Sequence, residues 1–127
     1  MKAGDTILVD VPGTRYDSHL WMVISDPDQG SQCLIVNFTS WRADKDQACV
    51  VELGEHPYIK HTTCVEFKGA KLVLIAKLEE CLHSGALVSH EPLSAPLLAK
   101  IRVAVPNSRI SLGFAQLLMD QGVVGLD

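Results

Sequence analysis

The sequence has no long apolar segment. Its longest uninterrupted apolar runs, Leu20 to Ile24 and Leu72 to Ala76, have five residues each, whereas a helix that spans a membrane needs about 20. An alternating strand pattern begins within the first residues and leaves no room for the apolar core of a signal peptide. We therefore expect a cytoplasmic protein without a membrane-spanning helix.

The chain also has fewer positively than negatively charged residues. The chain has 11 Lys and Arg residues against 15 Asp and Glu residues, which gives a net charge of −4 at pH 7. A protein that holds nucleic acid by charge alone needs clustered Lys and Arg, so that class is excluded, whereas an enzyme that contacts a few phosphates is not. The hydrophobic share of 47% and the charged share of 20% indicate a packed globular protein rather than a disordered chain.

Several chemical motifs are absent. The four cysteines, Cys33, Cys49, Cys64 and Cys81, form no CxxC pair. Because the chain also lacks an export signal, we interpret them as small core residues rather than disulfide partners. HExxH, GxSxG and a glycine-rich phosphate loop do not occur. No function can therefore be assigned from these common enzyme motifs.

One group of metal-ligand side chains stands close together in the sequence. His56, His61 and Cys64 fall within nine residues, a spacing that zinc could use. No clear fourth ligand accompanies them, and we expect neither a metal nor another cofactor.

Short segments in which apolar side chains alternate with polar ones are frequent up to residue 76. The segment 19–25 is apolar on both alternating faces, which predicts a central strand. Residues 26–30 have the residue types of a type I turn and predict a hairpin to the next strand. Six predicted strands span residues 5–11, 19–25, 33–39, 48–53, 61–67 and 71–76, and six short strands at this spacing favour a small antiparallel barrel.

Helical spacing replaces the strand pattern after residue 76. We predict a helix over residues 77–83, a second helix capped by Ser94 and a third capped by Ser108, since a serine hydroxyl accepts the free N–H groups of a first helical turn. The fold class predicted is mainly β with C-terminal helices, α+β, in one domain with a barrel over 1–76 and a helical part over 77–127. The second and third predicted helices carry apolar stripes, formed by Leu97, Leu98, Ile101 and Val105 and by Ile110, Phe114, Leu117 and Leu118.

The order of several motifs is similar to that of a known family. Residues 4–12 read GDTILVDVP, a polar loop follows, and the segment LWMVIS at 20–25 precedes the segment IVNFT at 35–39. Further on, residues 61–67 read HTTCVEF and residues 70–73 read AKLV. In this order the segments resemble the PemK/MazF family of toxin ribonucleases over about residues 3–83.

The resemblance implies an SH3-like barrel that forms a homodimer, cleaves single-stranded RNA without a metal and is silenced by an antitoxin protein lying over the active groove. The family's catalytic threonine falls on Thr39, and its catalytic arginine falls on His19, with Leu20 in place of the proline that follows. About 40 residues follow Gly85, where the family's chain usually stops after one helix. This segment is either a further partner surface or a cover over the groove.

Candidate site residues follow from the resemblance and from the chemistry of RNA cleavage. Attack by the 2′-hydroxyl needs a base, an acid, and donors or a cation for the charge on phosphorus. We assign His19 to proton transfer and Arg15 with Thr39 to the phosphate. The residues that we expect to bind the substrate are Asn37, Trp41 and Arg42.

A hypothesis from a different class is a barrel of the same fold that does not catalyse and binds a protein or a nucleic acid. The exchange of the family's arginine for His19 and the acidic net charge motivate it. A fold can persist after its chemistry is lost, because function resides in the site.

Overall fold

The computed structural model describes residues 1–10 and 18–122. The strands are β1 (Thr6–Asp10), β2 (Ser18–Val23), β3 (Gln32–Ser40), β4 (Val50–Val51), β5 (Thr63–Leu74) and β6 (Val88–His90). The helices are α1 (Ile75–Ser84), α2 (Ala95–Ala104) and α3 (Leu112–Asp120), with a 3-10 turn, Val105–Asn107, between α2 and α3. All strand pairs are antiparallel and form one sheet in the order β4-β5-β3-β2-β1-β6, which curls into a half-barrel. The predicted class, an antiparallel barrel-like sheet followed by C-terminal helices, is confirmed.

The first three strands form a meander. β2 pairs with β1 on one side and with β3 on the other, so the predicted central position of β2 is confirmed. The turn between β2 and β3 is held by Asp28, whose Oδ1 accepts from the N–H groups of Gly30 at 2.8 Å and Gln32 at 2.9 Å. This aspartate therefore fixes the hairpin that aligns the two central strands.

The fifth strand corrects one prediction. Residues 61–67 and 71–76 were expected to be two strands separated by Lys68 and Gly69, but β5 is one strand of 12 residues. Both halves pair with β3, but the register shifts between them. Ile35 pairs with Lys71 and Asn37 pairs with Glu66, so a step of two positions along β3 corresponds to a step of five along β5. The extra residues of β5 form an irregularity rather than a turn, because a glycine inside a strand also permits a bulge.

The two edges of the sheet also differ from the prediction. β4 has two residues where 48–53 was expected, because it pairs only with the start of β5. β6, which the sequence did not predict, pairs with β1 from Leu8↔Val88 to Thr6↔His90. A strand from the C-terminal part of the chain therefore forms the edge of the sheet next to β1.

The sheet buries side chains on both faces. One face, which we call the α2 face, carries the buried β2 and β3 residues Leu20, Met22, Leu34, Val36 and Phe38 and packs against α2 and α3. The opposite face, which we call the α1 face, carries Ile7, Trp21, Val23 and Ile35 and packs in part against Leu78 of α1. The helices α2 and α3 therefore belong to the core on the α2 face of the sheet, whereas α1 packs against the opposite face.

The helix ends follow capping chemistry, with one correction. Ser94 Oγ accepts from the Leu97 N–H at 3.2 Å, which confirms the predicted cap of α2. The cap of α3 is Ser111, not Ser108, because the chain first completes the 3-10 turn and Ser108 Oγ donates back to the Val105 carbonyl at 2.8 Å. α1 begins at Ile75 rather than Lys77. In the described part of the chain no helix has the length and apolarity to cross a bilayer.

Candidate active site

His19 and Asn37 are in contact on the α1 face. Nδ1 of His19, in β2, lies 3.3 Å from Nδ2 of Asn37, in β3. Trp21 pairs with Asn37, and His19 points to the same side as Trp21 because side chains alternate along a strand. An amide nitrogen only donates, so Asn37 donates to His19 Nδ1 in this contact. Asn37 is 8% exposed and its Nδ2 also donates to a backbone carbonyl at 3.2 Å, so it can fix the orientation of the imidazole.

Thr39 lies on the same face, two residues after Asn37 in β3. It is half-buried and pairs with Cys64 of β5. Burial raises the pKa of the Cys64 thiol, so this cysteine stays neutral at pH 7 and offers no nucleophile beside Thr39. Three of the predicted site residues thus share one face of the sheet, whereas Arg15 lies outside the described residues.

Two lysine side chains, those of Lys45 and Lys71, lie near the strand neighbours of Asn37. Lys45 Nζ lies 3.6 Å from Glu66 Oε2, and Glu66 pairs with Asn37 in the sheet. Lys71 Nζ lies 5.2 Å from the ring centroid of Trp21, the other neighbour of Asn37. Sequence reasoning did not predict either lysine, because only the register of β5 against β3 brings them to this place.

Trp41 and Arg42 lie in the loop that follows β3. Trp41 is 42% exposed, so its indole is available for stacking on a base. Arg42 Nε lies 3.6 Å from Asp44 Oδ1, and both of these side chains are mostly exposed. In residues 1–10 and 18–122, no hydrogen bond or ion pair joins either residue to the His19–Asn37 pair, so the structure does not bring them into polar contact with it.

A second histidine lies at the end of β3, and the sequence did not predict its contact. His61 Nε2 is 2.9 Å from the hydroxyl oxygen of Ser40, the last residue of β3. Both side chains are exposed. They are 21 positions apart, so only the pairing of β3 with β5 could reveal the contact. His61 was considered in the sequence only as a zinc ligand.

His56 is held in the fold by hydrogen bonds to the backbone. It is buried, its Nε2 donates to the Glu91 carbonyl at 2.7 Å, and its Nδ1 accepts from the Tyr58 N–H at 3.1 Å. Both ring nitrogens are therefore engaged by the backbone, and His56 does not share a site with His61 and Cys64. Across the described ranges, no three His, Cys, Asp or Glu side chains are grouped so that they could hold a metal ion.

An apolar cleft of about 220 Å³ opens on the α1 face. Trp21, which pairs with Asn37, forms part of its wall, so the cleft begins one residue pair from the His19–Asn37 contact. Eight of the described residues line it, and among these Lys71 is the one with a charged side chain. The eight residues are Ile7, Val9, Trp21, Ile35, Lys71, Val73, Leu78 and Leu87.

The arrangement has the groups that phosphodiester chemistry on RNA requires. An imidazole accepts and donates protons near neutral pH. The hydroxyl of Thr39 can donate a hydrogen bond to a phosphate oxygen, whereas the amide nitrogen of Asn37 is already engaged with His19 and with a backbone carbonyl. The ammonium group of Lys71 adds positive charge near a negatively charged substrate, whereas that of Lys45 is balanced by the Glu66 carboxylate. None of these roles needs a metal ion.

No family model matches the chain, and no curated protein matches it. The resemblance of residues 3–83 to the PemK/MazF family stays a prediction from the sequence motifs.

Proposed function

We propose that the protein is a metal-independent endoribonuclease of the toxin type that cleaves single-stranded RNA. One observation carries the proposal: His19 and Asn37 are in contact at 3.3 Å on the sheet face that also presents Thr39. RNA cleavage by the 2′-hydroxyl needs a proton-transfer group beside donors that hold the phosphate. His19 and Thr39 are such groups, at the two positions that the family resemblance assigns to catalysis, and Asn37 orients the imidazole.

Each residue then has a role in the reaction. His19 is the proton-transfer group, as general base or acid, and Asn37, which contacts its Nδ1, keeps the ring in position. Thr39 binds the scissile phosphate, and Arg15 contributes the cation that the family's arginine would have provided. Residues in the loop after β3 bind the neighbouring nucleotides, by stacking on Trp41 and by the charge of Arg42.

The resemblance also suggests partners. We propose that the protein acts in the cytoplasm as a homodimer, and that an antitoxin protein covers the groove to silence it. A two-fold dimer would use one self-complementary surface on both copies.

A second candidate function is a non-catalytic barrel that binds a protein or a nucleic acid. The apolar cleft with Lys71 on its wall favours it, since a concave apolar surface with one polar group is typical of a binding site. In this case the His19–Asn37 contact would serve to hold β2 against β3.

The test is incubation of the purified protein with long single-stranded RNA in the presence of EDTA over pH 5–9. We expect cleavage, and a loss of about 10²- to 10⁴-fold in rate for His19→Ala, which is the usual contribution of a positioned acid or base. The matched control is His83→Ala, which changes an exposed histidine in the last turn of α1 and should cleave like the wild type.

Two results would contradict the proposal. Intact RNA after incubation with the wild-type protein would favour the binding function, and equal rates for the wild type and His19→Ala would remove the catalytic role of this histidine. Persistence of cleavage in EDTA distinguishes the proposed chemistry from a metal-dependent reaction.

A further inference from the structure

We propose that the apolar cleft on the α1 face is a binding site for a small aromatic carboxylate, that is, a flat apolar ring system with one negative charge. The cleft has a volume of about 220 Å³, and a cavity of about 150 Å³ is already large enough to hold benzene. A ligand of one or two fused rings therefore matches the cleft in size. The inference does not depend on the proposed ribonuclease function, because the cleft can hold such a ligand whether or not the protein cleaves RNA.

The floor of the cleft is one face of the sheet. The strands β1, β2, β3 and β5 are adjacent, and each contributes side chains to the lining. Four strands about 4.8 Å apart span about 14 Å. Leu78 of α1 and Leu87, which directly precedes β6, close the cleft on the side of the helix. Planar rings can lie flat on a floor of this kind.

The apolar lining is held in place by the core and still leaves surface for a ligand. Ile7, Ile35 and Leu78 are buried members of the cluster on this face. Trp21 and Val73 pack against that cluster but are only half-buried. Their remaining apolar surface contacts water in the free protein, and covering such surface is favourable. The lining is therefore formed before a ligand arrives.

Lys71 gives the cleft its charge. Its Nζ lies 5.2 Å from the ring centroid of Trp21, so the ammonium group stands over the aromatic part of the wall. Within the described residues, no ion pair includes Lys71. The two glutamates of α1 are engaged by other cations, since Glu79 lies 3.4 Å from the N-terminal amino group and Glu80 lies 3.9 Å from Lys77 Nζ. The positive charge of Lys71 is thus available to an anion at the mouth of the cleft.

The two parts of the proposed ligand have different surroundings. The rings lie in the apolar cleft, whereas the carboxylate stays beside Lys71, which is exposed. The carboxylate therefore keeps its contact with water and avoids the cost of burying a charge. A cation would be repelled at this position, and a nucleic acid needs several clustered cations rather than one. Charge complementarity thus favours a small monoanion.

The experiment uses naphthalene-2-carboxylate as the probe at pH 7, and naphthalene-2-carboxamide as a neutral compound of the same shape. Binding is followed by NMR through the indole N–H signals of the two tryptophans, which a Trp41→Phe variant assigns. Trp21 lines the cleft, whereas Trp41 is not among the lining residues. We expect the carboxylate to shift the Trp21 signal with a Kd of about 1 mM or lower, an affinity typical of a ligand of this size. The Trp41 signal should stay in place.

Two matched lysine variants test the charge. The wild type should bind the carboxylate about three- to tenfold more tightly than the carboxamide, the usual range for a partly exposed charged contact. Lys71→Met keeps an unbranched apolar side chain without the charge and should reduce this preference to less than about twofold. Lys77→Met removes an exposed lysine from α1 and should retain the preference of the wild type.

A third variant tests the place of binding. Val73→Phe adds a ring to the cleft from a half-buried position in β5 and should weaken the binding of both probes at least about tenfold. Its thermal midpoint is measured beside that of the wild type. If the fold of this variant is disturbed, Lys71→Met still decides the question, because the side chain that it replaces is exposed.

Several results would overturn the inference. Absence of any shift up to about 10 mM carboxylate would show that the cleft is not such a site, and a shift of the Trp41 signal alone would place the binding elsewhere. Equal affinities of the wild type for the two probes, or an unchanged preference in Lys71→Met, would refute the selection of anions. A Trp21 signal that moves with protein concentration before any probe is added would identify a second copy of the chain as the occupant instead.

Discussion

Truncation of Ile101 to alanine tests whether the C-terminal helices are part of one cooperative unit with the sheet. Ile101 lies in α2, is fully buried, and belongs to the cluster that includes Leu20 and Met22 of β2 and Val36 of β3. The helical part is also tied to the sheet by polar contacts, since Arg102 Nε donates to a β2–β3 carbonyl, that of Ile24, at 3.0 Å. Loss of packing at this position should therefore lower the free energy of unfolding of the sheet and of the helices together.

The magnitude follows from the atoms that are removed. Isoleucine to alanine deletes three carbon atoms, and at about 0.8 kcal/mol per buried methylene the transfer contribution is about 2.4 kcal/mol. If the cavity does not collapse, the cost rises toward about 5 kcal/mol. For a domain of this length, a loss of about 2–3 kcal/mol corresponds to a decrease of roughly 10 °C in the thermal midpoint.

The assay is urea unfolding followed by two signals. Tryptophan fluorescence reports on the sheet, since both tryptophans lie before residue 76, and far-UV circular dichroism reports mainly on the helices. We expect both transitions to shift together for Ile101→Ala, and Val103→Ala, 74% exposed on the same helix, to change the free energy of unfolding by less than about 0.5 kcal/mol. A shift of the dichroism transition alone would refute the argument, because the helices would then unfold independently of the sheet.

Two further predictions concern titratable side chains. The Glu52 N–H donates to Glu55 at 2.7 Å and, with a smaller contribution from Lys100, lowers the pKa of the Glu55 carboxyl. A lowered carboxyl pKa stabilises the fold above the ordinary value of about 4.3 and ceases to do so as the pH falls through the folded value. Glu55→Gln should therefore have a lower free energy of unfolding than the wild type at pH 7, by about 1 kcal/mol or less because the group is partly exposed. The corresponding difference in thermal midpoint should shrink below about pH 4. A difference that stays constant down to pH 3 would contradict this prediction. Burial raises the pKa of Cys49 to about 11, so iodoacetamide at pH 8 should modify the half-buried Cys81 first, and mass spectrometry that finds Cys49 alkylated as fast in the native protein would be inconsistent with this core.

Much of the fold could be predicted because it depends on local patterns. The alternation in β1, β2 and β3 and the cap at Ser94 are decided by residues next to one another in the chain. The errors come from positions at which two local outcomes are compatible with the same residues. A glycine after Lys68 permits a turn or a bulge, and Ser108 and Ser111 are equally good caps until the turn at Pro106 decides between them.

The site was predictable only in part, for a different reason. The resemblance indicates His19 and Thr39, and alternation places Asn37 beside Thr39. The contact of Ser40 with His61 depends on the register of strands that are distant in sequence, and periodicity contains no information on register. The same holds for the cleft, whose wall combines side chains from several separate elements.

The pairing of β6 with β1 has a consequence for how the chain is made. Leu8 and Val88 are neighbours in the sheet but eighty positions apart in the chain, so on the ribosome the N-terminal strand keeps an open edge until the segment around residue 90 has emerged. Contacts of such long sequence separation form slowly, and an unpaired edge is a template for wrong strand pairing. A nascent chain of this protein therefore passes through a long interval in which its first strand is exposed to chaperones and to other unfinished chains, and that interval closes only when the last third of the protein is synthesised.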